Sequence, residues 1–188
     1  MNRQDLRVIK TKESIQNALL QLLKEKSLEK INVTEICHRA RVNRGTFYLH
    51  YRLVEDVFTE LFQDIVDDMK IAYGKPYKGT NPFSISNLDP KAICIFEHIK
   101  NHQLFYEVVF SKHSSNFYYY MLFDKIRTTL QSNFKSQNQS EINTEYYIGY
   151  QVNAIMGVIL VWFEHGLRES PEEMNKQLYY ILRENFAT

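Results

Sequence analysis

With 188 residues, 44% hydrophobic and 24% charged, the chain is long enough to bury a core and has the composition of a soluble globular protein, which excludes a disordered, collagenous or disulfide-stapled polypeptide. Its longest unbroken apolar run, residues 154–163, is well short of the roughly 20 residues needed to cross a hydrocarbon core, and the polar stretch Met1–Lys12 does not read as a secretion signal, so a cytoplasmic, membrane-free location is expected. The net charge of +1 is unevenly divided: residues 1–52 carry 11 Lys/Arg against 5 Asp/Glu, whereas residues 53–188 carry 12 against 17, so the amino-terminal end suits an anionic partner.

Ile15, Leu19, Leu22 and Leu23 recur at helical spacing and predict a first helix. The basic residues ahead of them, Arg3, Arg7, Lys10 and Lys12, fit either an arm on a duplex or a solvated end. Asn32-Val33-Thr34-Glu35 is a capping box that opens a short helix running to about Ala40. Asn43 then offers a second N-cap in front of Arg44-Gly45-Thr46-Phe47-Tyr48-Leu49-His50. Two short helices joined by a tight turn make a helix-turn-helix, in which the first helix braces the backbone and the second puts its amino-terminal side chains into the major groove. Ile36, Ala40, Val42 and Phe47 are its expected core.

The run from Ile31 through Thr34, Cys37, Arg41, Asn43 and Arg44 to Tyr51 resembles the DNA-binding signature of TetR/AcrR-type transcriptional regulators, most specifically in Gly45-Thr46-Phe47-Tyr48-x-His50-Tyr51. The resemblance spans about residues 10–62; beyond them only the helical layout and Trp162-x-x-x-Gly166 before a last helix are similar. It implies that Tyr48 and His50 bind phosphates, that Thr34 contacts the backbone or a base edge, that Asn43, Arg44, Gly45 and Leu49 face the groove, and that Thr46 does either. Arginine can fork to guanine, asparagine can pair with adenine, and glycine permits close approach, so sequence preference is expected to rest mostly on Arg44 and Asn43. Two positions depart from the family pattern: Arg41 stands where glycine is usual in the turn, and Val54 where a lysine is usual near the start of helix 4. The first implies strain if that backbone is left-handed; the second removes a phosphate contact for which Arg52, Arg44 and the basic end can compensate. The competing reading makes 31–51 two amphipathic helices of a bundle, with Tyr48 and Tyr51 as core aromatics and Arg44 solvated.

Val54, Phe58, Leu61 and Ile65 predict a fourth helix over about 53–73. Half of the ten Gly and Pro residues then fall between Gly74 and Pro90, the best boundary candidate. Asp89-Pro90 and Ser170-Pro171-Glu172-Glu173 both look like helix openings, and between them Ile93–Phe110, Phe117–Phe134 and Tyr146–Leu167 keep helical lengths, with Ser132–Ser140 as a solvated connection. The expected fold is therefore all-α, about nine helices. A three-helix helix-turn-helix DNA-binding domain over 1–53 precedes a larger helical effector-binding and dimerisation domain over 54–188, with helix 4 as connector.

That second region holds 23 of the 26 aromatic residues. Phe62, Phe105, Phe110, Tyr119, Phe123, Tyr150 and Trp162 are candidates to line a pocket for a small apolar or aromatic effector, although aromatic stripes at helical spacing are more often plain core and interface packing. Helix 8 is apolar nearly all round and helix 9 has one apolar face, which suits a two-fold four-helix interface through Tyr150, Gly157, Val161, Met174, Leu178, Ile181 and Leu182. Homodimerisation is also what the resemblance implies, and it would place two recognition helices ~34 Å apart on a palindromic duplex.

Cys37 and Cys94 read as small buried apolar groups, with no zinc-type pairing. His98 and His102 share a helical face at metal-ligand spacing, but no third ligand is evident, so they read as surface histidines and no metal or cofactor is expected. No nucleotide-binding or nucleophile motif is present, and no enzyme is expected. The leading reading is a homodimeric, ligand-responsive DNA-binding regulator, most simply a repressor. The competing readings are a co-regulator acting through a protein partner with weak DNA binding, motivated by Val54, and a metal-dependent helical enzyme built on His98 and His102.

Overall fold

The computed structural model of the chain describes residues 3–74, 90–111, 116–133 and 143–185. The described residues form nine α-helices and two 3-10 turns, with no strand among them, as the all-helical expectation requires. They gather into two compact units, one from Met1–Ile65 with Leu104–Ser114, the other from Val66–Gln103 with Ser115–Thr188.

In the first unit, α1 (Arg3–Leu23) buries Ile15, Ala18, Leu19 and Leu22 at i, i+3, i+4 and i+7, and packs against α2 (Val33–Ala40). The helix begins at Arg3, so the basic residues at 3–12 are helical. The Asn32 side chain accepts from the Glu35 N–H while Glu35 accepts from the Asn32 N–H, completing the capping box at the start of α2. Glu35 also pairs with Lys26, and Arg39 with Glu25, holding α2 to the end of α1.

The turn after α2 is made by Arg41 in the left-handed region (φ 55°, ψ 40°), with the Val42 N–H closing onto the Cys37 carbonyl at 3.0 Å. An L-residue pays for that conformation through its Cβ, and the exposed Arg41 side chain stands where glycine would be free of the cost. Arg41→Gly is therefore expected to stabilise the chain by about 0.5–1 kcal/mol, the relieved strain being partly offset by the larger unfolded-state entropy of glycine. The measurement is a urea midpoint at constant slope; an unchanged or lower midpoint contradicts the strain.

Helix α3 (Arg44–Tyr48) and the residues after it fold over Phe47 and Tyr51, both buried, and α4 (Val54–Gly74) starts under a cap in which Asp56 accepts from the Arg52 and Leu53 N–H groups at 2.9 Å. Val54, Val57, Phe58, Leu61, Phe62 and Ile65 are its buried stripe in this unit. Ile36 and Phe47 are fully buried as expected, but Ala40 and Val42 are only half-buried because each flanks the exposed turn.

The expected single helix over 93–110 is two: α5 (Ile95–Asn101) and α6 (Gln103–Val109). His102 leaves helical geometry (φ −109°, ψ 30°), and the two helices belong to different units. No Gly or Pro marks the break, so periodicity alone reads through it. α6 lies in the first unit, where Lys24 bonds Glu107 at 2.7 Å and Phe105 meets Phe62 with ring centroids 5.9 Å apart.

The second unit pairs α7 (Asn116–Asn133) with α8 (Thr144–Glu164), and α5 and the turn Pro90–Ala92 with α9 (Pro171–Asn185). Asn143 caps α8 by accepting from the Glu145 and Tyr146 N–H groups, starting the helix two residues before the apolar pattern does. The capping box expected at Ser170 and Glu173 is present in both directions. Beyond the end of α8 the chain turns through Gly166 (φ 74°) and Leu167 (φ 54°), and the Leu167 N–H returns to the Trp162 carbonyl at 2.9 Å. Counted by unbroken apolar runs no stretch spans a membrane, but α8, with mean hydropathy 1.3 over 18 residues, is long and apolar enough to do so by length and composition. It carries Gln151 and Asn153 and packs on α7. Asp89 and residues 75–89 of the boundary stretch lie outside the described residues, as do 134–140 of the expected loop.

Candidate nucleic-acid interface

Asn43 holds extended geometry (φ −82°, ψ 162°) ahead of α3 and accepts from the Thr46 N–H at 2.7 Å. That cap uses one lone pair of the amide oxygen, leaving the other lone pair and the amide N–H groups for an asparagine–adenine pair. A Cβ on Gly45 would lie 3.3 Å from the same oxygen, tighter than an ordinary contact, so glycine leaves the cap uncompressed as well as keeping the helix face low.

The Arg44 guanidinium sits over the Tyr48 ring, 6.0 Å from its centroid, and donates to the Tyr48 hydroxyl at 3.4 Å, one helical turn away. Both side chains are exposed, and Leu49 beside them is 81% exposed. Thr34 is exposed on α2, while Thr46 and His50 are half-buried. Tyr48 is therefore not a core aromatic, whereas Tyr51 is one: Phe47 packs edge-on to Tyr48 (5.5 Å, 89°) and tilted against Tyr51 (5.8 Å).

What orients this surface is a set of polar contacts that motif reasoning missed. The Tyr51 hydroxyl donates to Glu60 Oε1 at 2.7 Å, Lys12 Nζ donates to Glu60 Oε2 at 2.8 Å, and the Lys12 ammonium lies 5.5 Å from the Tyr51 ring centroid. Burial, then the Glu60 carboxylate, push the Tyr51 phenol well above its usual range, so it stays a neutral donor. The network ties α1, the end of the helix-turn-helix and α4 together. Lys12 lies on α1, Tyr51 between α3 and α4, and Glu60 on α4, three segments that sequence spacing does not relate.

An open groove of about 510 Å³ runs beside the turn, lined by Leu6, Arg7, Lys10, Thr11, Ser14, Ala40, Arg41 and Val42. Three exposed cations among its eight residues make it attractive to an anion.

The candidate effector residues divide between the units. Phe62, Phe105 and Phe110 lie in the first; Tyr119, Phe123, Tyr150 and Trp162 lie in the second. Phe62 and Phe105 are buried, and Phe110 stacks on Tyr106. Trp162 is buried against Phe96, with its indole N–H donating to the Glu169 carbonyl at 3.2 Å, while Tyr150 is exposed. Of the candidate interface residues, Tyr150, Gly157, Val161 and Ile181 are exposed and Leu182 half-buried, whereas Met174 and Leu178 are buried within the chain itself. Cys37 is buried as expected; Cys94 is half-buried.

His98 corrects the surface reading. It is buried, and its Nδ1 lies 2.9 Å from Asp68 Oδ2; His102 Nε2 lies 3.1 Å from the same oxygen. The third group absent from the local sequence arrives from α4, 30 residues away. Burial lowers the His98 imidazole below its ordinary range, while the hydrogen bonds from His98 and then His102 hold the Asp68 carboxyl below its own.

An all-helical chain whose amino-terminal unit carries two capped short helices joined by a tight turn has the architecture of a helix-turn-helix regulator. Residues 86–184, just over half of the chain, match the family model TetR_C_8, described as a transcriptional regulator C-terminal region. The chain belongs to the TetR family of transcriptional regulators. It is 24% identical over 174 residues to the uncharacterized HTH-type transcriptional regulator YxbF of Bacillus subtilis (strain 168), covering 89% of this chain and 43% of that one, so it spans less than half the length of this curated relative. Its fold is similar to that of a TetR transcriptional regulator from Streptococcus agalactiae 2603V (TM-score 0.62, 19% identity, 95% of this chain and 97% of that one). It is also similar to that of a transcriptional regulator from Aquifex aeolicus VF5 (TM-score 0.61, 17% identity, 94% and 99%).

Proposed function

We propose that this regulator is a cytoplasmic, homodimeric, ligand-responsive repressor that binds a palindromic duplex through residues 1–53 and uses residues 54–188 for effector binding and dimerisation, with α4 as connector. The observation that carries the reading is the exposed Arg44–Tyr48–Leu49 surface on a helix-turn-helix whose hidden face is closed by Phe47 and Tyr51. Arg44 reads guanine, Tyr48 and His50 hold phosphates, and Leu49 meets apolar base edges such as thymine methyls. The exposed Tyr150, Gly157, Val161 and Ile181 leave α8 and α9 an apolar surface that a second copy can cover, and nothing within 4 Å would meet a Cβ at Gly157, so a partner helix can come close. Effector binding that separates the two heads by a few ångströms breaks register with fixed groove spacing, for which a coupling of ~1–3 kcal/mol suffices. This function requires no catalytic step.

The competing reading, a co-regulator with weak DNA binding, draws on Val54, which is buried at the first residue of α4 where the family pattern has a lysine. Selection of bound duplexes from random sequence by the untagged protein, with its mass measured in solution, separates the two. Enrichment of an inverted repeat by a dimer is the expected result; no enriched sequence overturns the repressor reading.

A further inference from the structure

We propose that Asp68, His98 and His102 form a binding site for one borderline transition-metal ion of the zinc class. The three donors come from two segments of one compact unit: Asp68 from α4, His98 from α5, and His102 from the residue that ends α5. All three ligand atoms lie within 4.8 Å of one another, and a single carboxylate oxygen already approaches both imidazoles, at 2.9 and 3.1 Å. A tetrahedral ion with bonds of about 2.0–2.2 Å needs its donors roughly 3.2–3.6 Å apart, so the carboxylate oxygen has to withdraw from each ring nitrogen by a few tenths of an ångström, while the two ring nitrogens, within 4.8 Å of each other, adjust their separation to the same range. The Asp68 side chain, 56% exposed, is placed to make that movement.

Two imidazoles and one carboxylate are a ligand set chosen by zinc-class ions over magnesium or calcium, which take oxygen donors. The site is graded from inside to outside: the His98 side chain is 2% exposed, His102 32% and Asp68 56%. The buried ring is fixed while the other two face an entry path, and the open side leaves a coordination position for water or a small anion. Without metal, both rings present an N–H to the carboxylate. On binding, each neutral imidazole shifts that proton to its other ring nitrogen and gives the freed lone pair to the ion, so no net proton need be released.

An ion so held fastens α4 to the end of α5, and α4 runs on into the unit that contains the helix-turn-helix. That consequence, a metal acting as effector, rests on the regulator reading above; the binding does not.

The test uses the full-length, untagged protein and no DNA: titration with Zn²⁺ by calorimetry and with Co²⁺ by visible absorption, on wild type, Asp68→Asn and His102→Ala. Both replaced side chains are partly exposed, so the variants are expected to keep the wild-type circular dichroism. The expected result is one Zn²⁺ per chain, undisturbed by a 100-fold excess of Mg²⁺, with affinity falling in each variant by more than the ~10–100-fold typical of losing an outer-shell partner. Intense tetrahedral Co²⁺ bands should appear in wild type and vanish in the variants. Equal Zn²⁺ affinity in all three proteins, or no binding by wild type, identifies a purely hydrogen-bonded cluster and overturns the proposal.

Discussion

Arg44→Ala is expected to relax sequence preference by about 1–3 kcal/mol at the guanine proposed for it, a roughly 5- to 150-fold loss of discrimination between the selected duplex and one altered at that pair. The side chain is exposed and touches Tyr48 one turn away, so its removal leaves the fold intact while deleting the fork that pairs with O6 and N7. Tyr48→Ala is expected to act differently. On the proposed reading Tyr48 supplies both a phosphate-binding hydroxyl and the ring beneath the guanidinium, so its loss is expected to weaken all duplexes together while leaving the salt slope nearly unchanged, since a neutral phenol releases no counterion. Fluorescence anisotropy on matched and mismatched duplexes at two salt concentrations distinguishes the two effects. Unchanged affinity and preference in both variants would refute the site assignment.

Phe47→Ala carries the largest expected effect on stability, about 3–5 kcal/mol. Phe47 has no exposed surface, and it is the ring against which Tyr48 and Tyr51 are set, so truncation opens a cavity under the recognition surface and loosens Tyr51 above Glu60. Natural domains have only about 5–15 kcal/mol to lose, so a large share of the stability of the first unit goes with this one side chain. Leu49→Ala is the matching control: although Leu49 is apolar and two residues away, it is exposed, and its replacement is expected to change stability by no more than about 0.5 kcal/mol. Urea unfolding followed by circular dichroism reads both. A Phe47→Ala midpoint close to that of wild type would show that the helix-turn-helix does not depend on this core.

Much of the architecture was legible residue by residue. The caps at Asn32, Asn43 and Ser170 announce helices because a side-chain oxygen three residues ahead of an N–H is a local arrangement, and all three caps form. The left-handed turn at Arg41 was foreseeable from a resemblance that expects glycine there. The break at His102 was not, because no Gly or Pro marks it and the two halves of the apolar pattern belong to different units.

Sequence alone determined the helical class, the helix-turn-helix and which of its residues are candidates to face DNA, since each of these depends on neighbours within about ten positions. Tertiary structure decided the rest. It put Tyr48 outside and Tyr51 inside, closed Lys12, Tyr51 and Glu60 into one network, buried His98, and brought Asp68 to two histidines 30 and 34 residues distant. The reason is physical: periodicity and capping record what a helix does along its own axis, whereas hydrogen bonds and metal ligation between helices depend on how their faces are rotated against one another, a quantity that only packing specifies.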